Sequence, residues 1–125
     1  MSITMKARPF LAAIALALTT ATGAWADKIE ILDSAPEGAV VVEIDKMKYL
    51  TPEVTIKVGD AVTWTNLEVM PHNAQFNAGV AAEDVVRGPM LKKGESWSAR
   101  FLEAGTYDYH CTPHPFMRGK VIVEE

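Results

Sequence analysis

One seven-residue stretch, Cys111-Thr112-Pro113-His114-Pro115-Phe116-Met117, carries a thiol, an imidazole and a thioether at intervals of three. Taken singly, each has an ordinary reading: a buried thiol, a surface histidine, a core methionine. Taken together, they are donors suited to a soft or borderline metal. Pro113 and Pro115 fix φ and lack amide hydrogens, so the stretch forms a stiff loop rather than a helix. A loop of this kind, set between two strands, can bring all three donors to one point.

A fourth donor has to come from elsewhere, and the remaining histidines are His72 and His110. His110 directly precedes Cys111, so in a strand its side chain points to the opposite face. His72, in Met70-Pro71-His72-Asn73, is the better candidate. His72, Cys111, His114 and Met117 then supply two imidazoles, one thiolate and one weak axial thioether, the donor set of copper sites that pass single electrons. Cu(I) prefers sulfur and Cu(II) accepts imidazole, so a site that partly suits both rearranges little as an electron moves. A structural zinc site would recruit more Cys or His and no methionine. A Cys111 nucleophile with His114 as its base lacks a residue to orient the base and any visible oxyanion motif. A second copper centre, which a copper oxidase or nitrite reductase needs, finds too few histidines. The residues therefore point to a carrier and not to an enzyme.

The N-terminus bears on compartment. Lys6 and Arg8 precede an apolar run from Phe10 to Leu18, and small and polar residues follow, up to Ala24-Trp25-Ala26. This is the pattern of a secretory signal peptide, residues 1–26, cleaved after Ala26. Nine apolar residues fall well short of the ~20 needed to span a bilayer. The expected product is one domain, residues 27–125, in the periplasm, with no membrane attachment after processing. Cys111 is the only cysteine, so an internal disulfide is excluded. A lone thiol in an oxidising compartment needs another explanation, and metal binding is one. The formal net charge of −4 becomes more negative once Lys6 and Arg8 are lost. An acidic chain of this kind shows no basic face for nucleic acid.

The elements that must position these donors read as an all-β domain. Val40–Ile44, Val54–Val58 and Ala61–Thr65 are short and rich in β-branched residues. Val54, Ile56 and Val58 alternate with Thr55 and Lys57, the period of a half-buried strand. Trp97–Phe101, Thr106–His110 and Lys120–Val123 continue the pattern. Gly59-Asp60 reads as a hairpin turn between two of the runs, and Ala104-Gly105 and Arg118-Gly119 act as breaks. The segment from Ala81 to Arg87 reads as a short helix or an irregular loop. Several short strands at this spacing suggest a sandwich or barrel.

The chain resembles the cupredoxins, the type 1 blue copper family, and its short ligand loop resembles that of the amicyanin subfamily. The residues that carry the resemblance are the loop from Cys111 to Met117, Lys46-Met47-Lys48-Tyr49, Met70-Pro71-His72-Asn73 and Gly105-Thr106-Tyr107-Asp108-Tyr109. It extends from about Val40 to Glu124. It implies a Greek-key β-sandwich with one type 1 copper ion near one end, and a monomer. It implies that Asn73 ties the His72 segment to the ligand loop near Thr112. It also implies an apolar collar for partner docking around the exposed edge of His114, made of Met47, Met70, Pro71, Met90, Pro113, Pro115 and Phe116 with Arg118 beside it. The electron donor it implies is methylamine dehydrogenase, and the acceptor a soluble c-type cytochrome. Two other roles are compatible with the residues: electron donor to a different periplasmic reductase, and copper storage or delivery.

Overall fold

Alternation of apolar and polar residues generates two facing sheets. The structure is a computed structural model that describes residues 27–125, so the leader expected over residues 1–26 lies outside the described residues. Ten strands follow in chain order: β1 Ile29–Leu32, β2 Val40–Asp45, β3 Lys48–Tyr49, β4 Glu53–Lys57, β5 Ala61–Asn66, β6 Gln75–Phe76, β7 Val86–Arg87, β8 Ser96–Phe101, β9 Gly105–His110 and β10 Arg118–Glu124. One sheet has the order β1-β8-β5-β2-β3, the other β4-β10-β9-β6-β7. The architecture is a Greek-key β-sandwich with no helix among the described residues.

The period of two places one face of each strand in the core. Along β4, Val54 and Ile56 are buried while Glu53, Thr55 and Lys57 are exposed. Along β9, Tyr107 and Tyr109 are buried between exposed Thr106 and Asp108. The sheets meet through aromatic rings set edge to face. Trp64 packs on Phe76 with centroids 6.1 Å apart and on Tyr109 at 5.3 Å. Its partner across the ladder, Trp97, lies at 5.4 Å. Such edge-on pairs add to the free energy of simple burial.

One reading of local sequence is corrected and a second is resolved to the loop it allowed. Gly59-Asp60 is not a hairpin turn, because β4 and β5 belong to different sheets. β4 runs parallel to β10, and β5 lies between β8 and β2. The turn is a crossover from one layer to the other, with Gly59 at φ 96°. It is held by Gly59 N donating to Phe101 O at 2.7 Å and by Arg100 Nη1 donating to Gly59 O at 2.7 Å. The segment from Ala81 to Arg87 forms no helix and ends in the short strand β7, which pairs with β6.

This frame positions the loop of interest. β9 ends at His110 and β10 resumes at Arg118, antiparallel to it, with His110 opposite Arg118. The seven residues between them, Cys111 to Met117, close one end of the second sheet.

Candidate metal centre

The loop is closed by its own backbone. Cys111 N donates to Met117 O at 3.1 Å, His114 N to Cys111 O at 3.2 Å, and Met117 N to His114 O at 2.8 Å. Three of the chemically active residues thus bond to one another through the main chain before any side-chain interaction is counted. The two prolines contribute no donors that would need partners. Cys111 and Met117 are buried and His114 is half-buried.

His72 reaches the same end of the sandwich from the other sheet's connection. It follows β5 by a short loop and makes a pair of backbone bonds with Leu91, at 3.3 and 2.8 Å. Its side chain is fully buried. One ligand atom each of His72, Cys111 and His114 lies within 4.8 Å of the others. Cys111 Sγ is 3.7 Å from His72 Nδ1 and 3.5 Å from His114 Nδ1. His110 lies outside this group, on the alternate face of β9.

Asn73 and Thr112 lock the two segments together. Asn73 Nδ2 donates to Thr112 Oγ1 at 2.9 Å, and Thr112 N donates to Asn73 Oδ1 at 2.8 Å. Asn73 Nδ2 also donates to Gly88 O at 3.1 Å. Tyr49, on β3, donates its hydroxyl to Asn73 O. Thr112 Oγ1 donates to Gln75 Oε1, which also accepts from Arg87 Nε at 2.7 Å. The loop is therefore fastened to β3, β6 and β7 by polar contacts, which fix donors more firmly than apolar packing alone does.

Glu68 is a residue that the reading of the sequence did not single out. Its Oε2 lies 2.5 Å from His72 Nε2. Its carboxylate also accepts from the amides of Lys46 and Met47, at 2.9 and 3.0 Å. Burial alone would raise its pKa, but these amides and His72 outweigh that and hold it below the ordinary carboxylate range. A single acid in a loop carries no spacing signal, so only the folded contact reveals it.

The electrostatics of Cys111 disfavour a free thiolate. Burial pushes its thiol above the ordinary value, against the opposing backbone amides of Asn73 and His114. A buried thiol of this kind is a poor free nucleophile. A metal ion changes that balance, because coordination deprotonates a thiol outright. Two imidazoles and one sulfur, converging and buried except for the half-buried His114, form a donor set that suits copper.

The surface beside the centre is apolar. Met70, Met90 and Phe116 are exposed, Phe116 at 68%. Pro71, Pro113, Pro115 and Arg118 are exposed and Met47 is half-buried. Met47, Phe116 and Arg118 line a common groove of about 460 Å³ together with Lys46, Lys48 and Met117. Val69, at 81% exposure, adds to the apolar surface and was not anticipated.

A β-sandwich with this cluster at one end defines a cupredoxin, the class of copper-binding electron carriers. Residues 36–124 match the family described as copper binding proteins, plastocyanin/azurin family. The chain is 59% identical to amicyanin from Paracoccus denitrificans, over 95% of this chain and 96% of that one. It is 52% identical to amicyanin-alpha from Methylorubrum extorquens, over 96% of this chain and all of that one. A solved structure of a reduced amicyanin variant superposes with a TM-score of 0.76 at 57% identity, covering 78% of this chain and all of that one. The chain belongs to the plastocyanin/azurin family of copper-binding proteins. Its cofactor is one copper ion, and the cluster of His72, Cys111 and His114 fits a type 1 site.

Proposed function

We propose that His72, Cys111, His114 and Met117 hold the copper ion, and that the protein is a soluble periplasmic carrier of single electrons and not an enzyme. The observation that carries this reading is the convergence of one ligand atom each of His72, Cys111 and His114 within 4.8 Å, with Cys111 Sγ 3.7 Å from His72 Nδ1 and 3.5 Å from His114 Nδ1. Copper supplies a reversible one-electron change, and the protein's part is to keep its donors still while that change occurs. Cys111 offers a thiolate and His72 a fully buried imidazole. His114 is the half-buried member, so its ring edge is the natural port for an electron. Met117, buried and tied by its amide to His114 O, would supply a weak thioether donor.

The exposed residues around His114 give partners a dry surface. Met47, Met70, Pro71, Met90, Pro113, Pro115 and Phe116 exclude water when a partner seats, and Arg118 steers an acidic one. A small patch suits an association that must also end quickly. The proposed donor is methylamine dehydrogenase and the proposed acceptor a c-type cytochrome. Both rest on the resemblance of the ligand loop to the amicyanins. Residues 1–26 are proposed as the export leader and residues 27–125 as one domain, acting as a monomer.

The test is the visible spectrum after Cu(II) is added to the purified protein. An intense blue thiolate-to-copper band, lost in Cys111→Ser, is expected. A colourless adduct overturns the ligand assignment. Rapid mixing with reduced methylamine dehydrogenase then tests the donor.

A further inference from the structure

Glu68 joins two parts of the molecule that the chain keeps apart. The turn between β2 and β3 contains Lys46 and Met47, at φ 56° and 60°. Non-glycine residues rarely occupy this left-handed region, and a pair of them needs outside support. The support here is the Glu68 carboxylate, which accepts both of their amides, that of Lys46 being shared with Asp45 Oδ1 at 3.0 Å. The same carboxylate meets His72 Nε2. Glu68 is itself held by its own amide, which donates to Asn66 Oδ1 at 3.1 Å. Asn66 in turn donates to Met70 O and Leu91 O, at 2.9 and 2.8 Å.

The chemistry of imidazole makes this contact directional. His72 faces Cys111 with Nδ1. A metal on Nδ1 leaves the ring proton on Nε2, where Glu68 accepts it. His114 has no such partner: among the described residues its ring meets Cys111 and no carboxylate. The two histidines therefore differ in how firmly they are held.

We propose that Glu68 is a positioning residue that makes the Lys46-Met47 turn and the buried His72 one hydrogen-bonded unit, so that metal binding at His72 and order in the turn are coupled. The inference rests on the ligand assignment given above. Coupling of this kind is reciprocal: whatever the metal does for the turn, the turn does for the metal. Met47 also lines the groove beside Phe116. A partner seated on that groove therefore presses on a segment tied directly to a ligand.

Amide hydrogen exchange of the copper-loaded and metal-free protein tests this, with the Leu50 amide, which donates to Glu43 O, as internal reference. Removing copper is expected to speed exchange of the Lys46 and Met47 amides about tenfold, the scale of one hydrogen bond, and to leave Leu50 unchanged. Glu68→Gln should keep the blue band, weaken copper binding roughly 10- to 100-fold and abolish the metal dependence of the two amides. Exchange in the unaltered protein that ignores copper overturns the proposal even if the variant fails to fold. Wild-type copper affinity in a folded Glu68→Gln protein overturns it as well. A missing blue band in the unaltered protein is a different result, which sinks the ligand assignment itself.

Discussion

Asn73 and Thr112, 39 residues apart in the chain, exchange two hydrogen bonds through their side chains and one amide. The pair closes the gap between the segment that carries His72 and the loop that carries Cys111. Asn73 is 1% exposed, so its loss strands Gly88 O in a buried place and takes the partner of Thr112 N at its partly buried edge. Asn73→Ala is expected to destabilise the metal-free protein by about 1–3 kcal/mol, the range for stranded buried polar groups. Urea unfolding measures this. An unchanged midpoint would mean that the loop stands without the bridge.

Gly119 is constrained by the ring of Tyr109 rather than by backbone conformation. A Cβ at position 119 would lie 2.4 Å from Tyr109 Cζ and from its hydroxyl. Tyr109 is buried and packs against Trp64 and Tyr49, which limits how far its ring can yield. Gly119→Ala should cost about 1–3 kcal/mol through overpacking. In the double variant with Tyr109→Ala that steric penalty should disappear. A thermal melt of the single variant equal to the parent's would refute the contact.

The hydroxyl of Tyr109 is buried without a hydrogen-bond partner. Burial pushes its pKa from 10.0 up to about 12, and burial likewise pushes Tyr49 up. In the unfolded chain these groups lose their protons near the ordinary value while the folded chain still holds them. The contribution of Tyr109 is therefore fully present below pH 10 and is lost as the pH rises from about 10 to 12, and that of Tyr49 is lost upward from about pH 10. Trp64 Nε1 lies near the Tyr109 hydroxyl without a well-formed hydrogen bond to it, so at neutral pH Tyr109→Phe should change stability by less than about 1 kcal/mol. Its alkaline decline should be shallower than the parent's, and an identical decline would exclude Tyr109 as a cause.

Phe116 projects into solvent beside His114, with ring centroids 6.1 Å apart. Since it supports no core, Phe116→Ala should move stability by less than about 0.5 kcal/mol. The rate of electron transfer from the proposed donor should fall while the blue band is unchanged. A rate equal to the parent's would remove Phe116 from the docking surface.

The strands with clear alternation were legible along the chain, since half-buried β4 and β9 follow a period of two. The short edge strands β1, β3 and β7, and β6 beside β7, were not. Two to four residues are too few for a period, and what makes them strands is the neighbour they pair with. Gly59-Asp60 shows the same limit. The turn has the same local chemistry whether it returns to the same sheet or crosses to the other. The parallel pairing of β4 with β10, far along the chain, decides which.

The spacing of Cys111, His114 and Met117 follows from the sequence alone, because seven residues with two prolines hold their own shape. His72 could be reached only by exclusion and by family resemblance, since no local rule joins residues 39 positions apart. The tertiary structure brought its Nδ1 to Cys111, set Asn73 against Thr112 and placed Glu68 behind the imidazole. Those contacts depend on how two sheets stack, and stacking is settled by the burial of Trp64, Phe76, Tyr107 and Tyr109 together and not by any one segment.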